Sequence, residues 1–173
     1  MIVKSKISFI IFLSLIFLSS YIPVGTSSLK NGETAPMIEL VNHDKNSELV
    51  KLTEDKAIVL NFWNPEDPQS RIRNKMIHDL MEENNEEFIF LSVCTSNDNK
   101  METAIMKTDD MAVSDNVIFY SLPDVSPQFL KNYKIEKGNM TFIIDSKGVL
   151  KEKIYNPNDL KMFFSQFNTT DLI

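Results

Sequence analysis

The chain has 173 residues, of which 43% are hydrophobic and 24% charged, and its formal net charge is −6. This length suffices for one ordinary domain with a short extension, and an acidic chain is a poor candidate for binding nucleic acid or an anionic membrane surface. Cys94 is the only cysteine, which excludes an intramolecular disulfide and an intramolecular dithiol/disulfide cycle within these residues.

Residues 1–28 have the pattern of a secretory signal peptide. Lys4 and Lys6 form a short positive region, residues 7–21 carry no charge and are mostly apolar, and small residues follow from Gly25. This pattern predicts cleavage near residue 28 and export to the periplasm or another extracytoplasmic space. An uncleaved membrane anchor is the alternative, because the apolar run is almost long enough to span a bilayer. The rest of the chain, residues 29–173, is predicted to be one domain, which contacts a membrane only through an uncleaved leader.

A β-hairpin is predicted at the start of this domain. Residues 37–41 and 48–52 have the composition of two short strands, and a polar turn separates them. The sequence Gly-Glu-Thr-Ala-Pro precedes them at residues 32–36.

A buried strand followed by a helix forms the centre of the predicted domain. Residues 57–63 are a run of apolar, β-branched and aromatic side chains, which is typical of a central strand. Asp67 is a good N-cap and Pro68 fits the first helical position, so we predict a helix over residues 68–84 with an acidic, solvated end. Four apolar residues are predicted to share its buried face: Ile72, Met76, Leu80 and Met81.

Further strands and helices alternate along the remaining chain. Strands are predicted at residues 87–94 and 116–120, before the Ser146–Gly148 turn and at residues 149–155; helices are predicted at residues 100–107 and 126–133 and from residue 156 onward. Apolar strands joined by a helix form a parallel pair, whereas a tight turn gives an antiparallel pair. The predicted fold class is therefore α/β, with a central mixed β-sheet flanked by helices and an N-terminal β-hairpin extension.

The segment from Asn61 to Arg71 resembles the active-site region of exported TlpA-like and ResA-like thiol-disulfide oxidoreductases. These belong to the thioredoxin-like superfamily and are related to the AhpC/TSA redoxins. Their pattern, Asn-Phe-Trp-Ala-x-Trp-Cys-x-x-Cys-Arg, matches this sequence at Asn-Phe-Trp and at Arg71, but Asp67 and Ser70 occupy the two cysteine positions. The resemblance thus implies a thioredoxin-like scaffold with a degenerate active site.

A second likeness runs from Tyr133 to Gly148, where thioredoxin-like chains carry Tyr-x-Val-x-x-x-Pro-Thr-x-Phe-x-Ile-Asp-x-x-Gly. Six positions match: Tyr133, Ile135, Phe142, Ile144, Asp145 and Gly148. Asn139 and Met140 stand in place of the family's cis-proline and the threonine after it. The two likenesses together extend the thioredoxin-like interpretation over roughly residues 31–168.

Neither degenerate position is predicted to be catalytic. Asp67 can cap the helix as the family's thiolate would, but a carboxylate cannot attack a disulfide. Ser70 lacks a base within reach, since His78 lies eight residues further along the same helix, at ~12 Å of helical rise. In a peroxiredoxin-like alignment the reactive position falls on Ile72, which also has no sulfur. An enzyme of another class built on Asp67 and Ser70 is the least favoured interpretation.

The favoured interpretation is a non-catalytic module that binds a protein or peptide partner. The predicted binding groove consists of Trp63, Asn64, Pro65, Glu66, Pro68, Gln69, Gly138 and Met140. The alternative is a redox-homeostasis protein that acts through Cys94 or together with a cysteine-bearing homologue, although Cys94 ends an apolar strand and is predicted to be buried and inert. No cofactor is predicted, and no metal site, because the only two histidines, His43 and His78, are far apart in sequence.

Overall fold

The computed structural model describes residues 29–41, 47–49, 56–83, 88–135 and 139–166. The predicted leader, the turn of the N-terminal hairpin, the acidic run after the first helix and Gly138 lie outside the described residues.

The described residues form seven strands and four α-helices. The strands are β1 (Glu39–Val41), β2 (Ser47–Leu49), β3 (Ala57–Trp63), β4 (Phe88–Cys94), β5 (Val117–Tyr120), β6 (Asn139–Ile144) and β7 (Leu150–Ile154). The helices are α1 (Pro68–Glu83), α2 (Asn99–Thr108), α3 (Pro127–Tyr133) and α4 (Pro157–Gln166). Every predicted strand and helix has a counterpart among the described residues, and residues 50–52 of the second predicted strand lie outside them.

Five strands form one mixed sheet in the order β5-β4-β3-β6-β7. β3 pairs in parallel with β4, which pairs in parallel with β5, whereas β6 is antiparallel to both β3 and β7. The turn between β6 and β7 places Gly148 at φ +78°, a conformation that glycine adopts without strain. β1 and β2 form a separate antiparallel pair. The structure therefore confirms the mixed sheet and the N-terminal hairpin pairing.

β3 is buried along its whole length and divides the core into two layers. Successive side chains of a strand point to opposite faces of the sheet, so Ile58, Leu60 and Phe62 pack on the side that holds α3. Val59 packs on the other side, in the layer of side chains that α1 and α4 also join. The C-terminal end of β3 thus delivers the chain to the start of α1 from the middle of the sheet.

A buried polar network fixes α1 on this second layer. Asn74 of α1 accepts hydrogen bonds from Asn61 Nδ2 on β3 and from Ser92 Oγ on β4, each at 2.8 Å. Thr141 Oγ1 on β6 donates to Asn61 Oδ1 at 2.9 Å. All four side chains are fully buried, so the network links three strands to one position on the helix.

Arg73 attaches α1 to the far edge of the sheet. Its guanidinium group is buried and donates to the main-chain oxygen of Tyr155 at 2.8 Å and to that of Ile154. Burial lowers the pKa of Arg73 to about 10, although the Asp159 carboxylate partly opposes this change. Together with the polar network, Arg73 determines where the N-terminus of α1 lies relative to β3.

Candidate functional site

Asp67 caps α1 at the position where the thioredoxin-like pattern has its first cysteine. The Arg71 N–H donates to the Asp67 carbonyl oxygen at 3.0 Å, which is the first hydrogen bond of the helix. The Asp67 carboxylate accepts from the Gln69 N–H at 2.9 Å. The predicted N-cap is thus confirmed, and a cap of this kind stabilises a helix by ~1 kcal/mol.

Ser70 is fully buried and holds the turn between β3 and α1. Its Oγ accepts a hydrogen bond from the Asn64 N–H at 2.8 Å. The Asn64 side chain in turn accepts from the Glu66 N–H at 2.9 Å. The Ser70 hydroxyl is therefore enclosed and accepts a hydrogen bond within this turn.

The residues of the predicted groove do not form one open surface. The side chains of Glu66, Pro68 and Gln69 are exposed, and those of Asn64 and Met140 are half-buried. Pro65 is buried, and its ring nevertheless touches the groove described below. Asn139, which stands in place of the family's cis-proline, lies in β6, and its backbone is opposite Trp63 of β3.

Trp63 corrects the prediction most clearly, because its side chain is fully buried and cannot line a groove. It packs with Cys94, Ile105 and Met111 beneath the surface. The reason is the alternation of side chains along β3, which turns Trp63 towards the layer beneath α1 and α2.

A groove of about 430 Å³ lies beside the first two turns of α1. Its lining residues are Pro65, Pro68, Arg71, Ile72, Lys75, Met76 and Asp109. Ile72 is 53% exposed, so the prediction that Ile72 faces the core is wrong. The buried face of α1 instead carries Asn74, Ile77 and Met81, because the polar network places Asn74 inwards and turns Ile72 to solvent.

The loop after α2 contributes Asp109 to this groove and lies along α1. Arg71 Nε donates to Asp109 Oδ2 at 2.7 Å, and the guanidinium makes a second bond to Asp109 Oδ1. This pairing lowers the pKa of Asp109 and raises that of Arg71. Three contacts, about one per helical turn, attach the loop: Arg71 to Asp109, Asn74 to Met111 (3.6 Å, Nδ2 to Sδ) and His78 to Ala112 (3.1 Å, Nε2 to O).

Cys94 lies at the end of β4 and is fully buried, which confirms the predicted burial. Burial raises the pKa of its thiol to about 12, and the neighbouring Glu102 carboxylate contributes to this rise. The nucleophile in disulfide exchange is the thiolate. A buried thiol with such a pKa supplies almost no thiolate at neutral pH, so the surroundings of Cys94 disfavour disulfide exchange.

Glu102 is a buried carboxylic acid that the sequence did not mark. Its side chain is 4% exposed and accepts a hydrogen bond from Ser121 Oγ at 2.7 Å. Burial raises the pKa of Glu102, assisted by the nearby Asp124, while the hydrogen bonds from Ser121 and Cys94 oppose the rise. Glu102 is buried because it lies on the inner face of α2. The sequence does not reveal this position, because a glutamate in a short, mostly polar helix is usually exposed.

Ionisation of Glu102 is expected to lower the stability of the fold as the pH rises. Since its folded pKa is raised, the folded state keeps this proton over a pH range in which the unfolded chain has lost it. The stabilisation is therefore complete below the unfolded pKa and is lost as the pH rises through the folded pKa. Glu102→Gln, which keeps an acceptor for Ser121, should raise the free energy of unfolding at pH 7, because it removes the cost of ionising a buried carboxyl group. Urea denaturation at several pH values measures this difference, which should shrink towards pH 4.

Glu83→Gln is the matched control, because it removes an exposed negative charge at the end of α1. A gain at pH 7 that is equal in Glu83→Gln and Glu102→Gln would show that overall charge, and not burial of Glu102, sets the effect.

Comparisons with known proteins establish the fold. No protein-family model matches this chain, and no curated protein matches it either. Among solved structures, it is similar to a thioredoxin-like protein from Parabacteroides distasonis (TM-score 0.60, 23% identity, covering 79% of this chain and 96% of that one). It is also similar to a thiol:disulfide interchange protein from Bacteroides sp. (TM-score 0.59, 17% identity, 81% and 91% covered) and to a peroxiredoxin-like protein from Aquifex aeolicus (TM-score 0.61, 20% identity, 87% and 91% covered). The domain therefore has the thioredoxin-like fold that the sequence predicts.

In the described part of the chain, none of the helices combines the length and the apolar character that crossing a bilayer requires.

Proposed function

We propose that this chain is an exported thioredoxin-fold protein that binds a protein or peptide partner and does not exchange disulfides. The observation that carries the proposal is the set of contacts made by Asp67 and Ser70, which occupy the two cysteine positions of the thioredoxin-like pattern. Asp67 caps α1 and Ser70 holds the preceding turn, so both side chains serve the scaffold. The single thiol, Cys94, is enclosed in the core.

The groove beside α1 is the best candidate for the binding surface. Its volume of about 430 Å³ lies in the ~300–1,000 Å³ range of ordinary ligand sites. Pro68 and Ile72 are exposed apolar residues that line it, and the ion pair of Arg71 with Asp109 also lines it. Apolar surface next to a paired polar group suits an extended peptide that inserts one large apolar side chain.

The alternative function, redox homeostasis through Cys94 or with a cysteine-bearing homologue, draws support from the fold alone. Burial and the raised pKa of Cys94 oppose the first route. In the second route a cysteine-bearing partner would supply the redox chemistry itself and dock at the N-terminus of α1, where the exposed Glu66 and Gln69 lie. Such a partner would occupy the same end of the domain as the proposed peptide.

The proposal of export rests on residues 1–28, whose charge and hydropathy pattern matches a signal peptide or an N-terminal anchor.

Ile72→Glu tests the groove directly. On a random-sequence peptide array, the full-length chain should retain peptides enriched in large aliphatic or aromatic residues. The variant should bind them at least about tenfold more weakly, since a charge replaces an apolar side chain that lines the groove.

Met162→Glu is the matched control for the Ile72 variant. Met162 is a helical apolar residue with 57% exposure, close to the 53% of Ile72, and it does not line the groove. The proposal fails if the array shows no preference for apolar residues, or if both glutamate variants lose binding equally.

A further inference from the structure

His78 is a buried imidazole on α1, and oxygen atoms face both of its ring nitrogens. The ring is fully buried and stacks on Phe119, with the centroids 6.1 Å apart. Nδ1 lies 3.4 Å from the Asp79 carboxylate, and Nε2 lies 3.1 Å from the Ala112 carbonyl oxygen and 3.9 Å from the Glu82 carboxylate. The described contacts of both nitrogens are thus all to hydrogen-bond acceptors.

A neutral imidazole can donate towards only one of these two sides, because it has one N–H and one lone pair. If Nδ1 carries the hydrogen, it donates to Asp79, and the Nε2 lone pair then faces the lone pairs of two oxygens. The other tautomer moves the same repulsion to Nδ1. A cation at that lone pair, either a proton or a metal ion, removes the repulsion, and the fully buried ring distinguishes this cluster from an ordinary pair of surface carboxylates.

We propose that Nε2 of His78, the Glu82 carboxylate and the Ala112 carbonyl oxygen bind a zinc ion. Donors placed ~2.1 Å from a tetrahedral zinc ion are roughly 3.4 Å apart, and the observed separations of 3.1 and 3.9 Å lie on either side of that value. Asp79 holds the Nδ1 hydrogen and so orients the ring, as a carboxylate commonly does for a metal-bound histidine. The donor atoms of His78, Asp79 and Glu82 all lie within 4.8 Å of one another.

Glu82 gives the ion a route to the buried ring. Its side chain is 54% exposed and its Oε1 lies 3.9 Å from the buried Nε2, so the carboxylate can meet an ion in solution next to His78. His78 and Glu82 are four residues apart, which places them on the same side of α1. This spacing is the one signal that the sequence offered, and a prediction that requires two histidines overlooks it.

The ion would join α1 to the loop after α2. That loop already contacts α1 through Asp109 and Met111, and zinc at Ala112 would fasten its far end. The inference does not depend on the proposed peptide binding, although the same loop contributes Asp109 to the groove.

The test is calorimetric titration of the full-length chain with zinc chloride, using variants that leave the core intact. His43→Gln leaves His78 as the only imidazole and should still bind one equivalent. Glu82→Gln should weaken binding at least about tenfold, and Asp79→Asn by about 10–100-fold. Glu83→Gln, an exposed neighbour of equal charge, should leave affinity unchanged. In the His43→Gln chain, the nitrogen NMR signal of Nε2 should shift with zinc, while Nδ1 keeps its proton.

Three results would each overturn the inference. One is the absence of saturable zinc binding, and another is its loss in His43→Gln, which would place the site at the other histidine. The third is an equal loss of affinity in Glu82→Gln and Glu83→Gln, which would mean that zinc is attracted only by the overall negative charge at the end of α1.

Discussion

Replacing Asp67 and Ser70 together by cysteine is expected to convert this chain into a disulfide reductase, whereas the wild-type chain should match the no-protein blank. In insulin reduction driven by dithiothreitol, the double variant should produce turbidity well before the blank does. The wild-type chain lacks an accessible thiolate, since Cys94 is buried and its pKa is about 12.

The N-terminus of α1 supplies what the new cysteines need. A thiol at position 67 would receive the N–H group that now binds the Asp67 carboxylate. Helix N-termini of this kind lower a thiol pKa from about 8.5 to about 3.5–7.5. Residues 67 and 70 are three positions apart at the start of a helix, close enough for a second thiol to resolve the mixed disulfide.

Single replacements separate this chemistry from a general effect of added thiols. Asp67→Cys alone can form a mixed disulfide but has no resolving thiol at position 70, so its turnover should fall far below that of the double variant. Cys94→Ser in the double variant should leave turnover unchanged. Activity in the wild-type chain that disappears in Cys94→Ser would refute the proposed function and identify Cys94 as the reactive site.

The strongest local patterns explain why the fold could be predicted from the sequence. The run from Ala57 to Trp63 is entirely apolar apart from Asn61, and Asp67-Pro68 is a strong helix start, so local chemistry alone locates β3 and the first residue of α1. Ser126 likewise caps α3, where its hydroxyl accepts from the Phe129 N–H at 3.0 Å. In these cases propensity, capping and tertiary packing favour the same conformation.

The candidate site could be predicted only in part, because it depends on which face of α1 is buried. Hydrophobicity places Ile72 in the core, yet Asn74 is buried instead, because Asn61 and Ser92 on the sheet provide its hydrogen bonds. With Asn74 on the buried face, Ile72 is exposed and lines the groove. The contacts of Arg71 with Asp109 and of His78 with Ala112 join residues more than 30 positions apart, and no local pattern encodes them.

The burial of Asn74 also leads to the largest expected loss of stability. Asn74→Ala should lower the free energy of unfolding by ~3–5 kcal/mol, measured by urea denaturation. The substitution removes the acceptor of Asn61 Nδ2 and Ser92 Oγ, both fully buried, and each buried polar group left without a partner costs about 1–3 kcal/mol. It also leaves a small cavity at the interface of α1 with the sheet.

Asn132→Ala on α3 is the matched control, because Asn132 is exposed and its hydrogen bond with Gln128 is on the surface. Its effect should stay within about 0.5 kcal/mol.

The position of the groove depends on Asn74 as well, since this residue holds α1 with Ile72 facing solvent. If the network fixes that rotation, Asn74→Ala should weaken peptide retention by the folded protein as well as lower its stability. A variant that loses stability but binds peptides as the wild type does would show that Arg73 and the loop after α2 are sufficient to orient the helix.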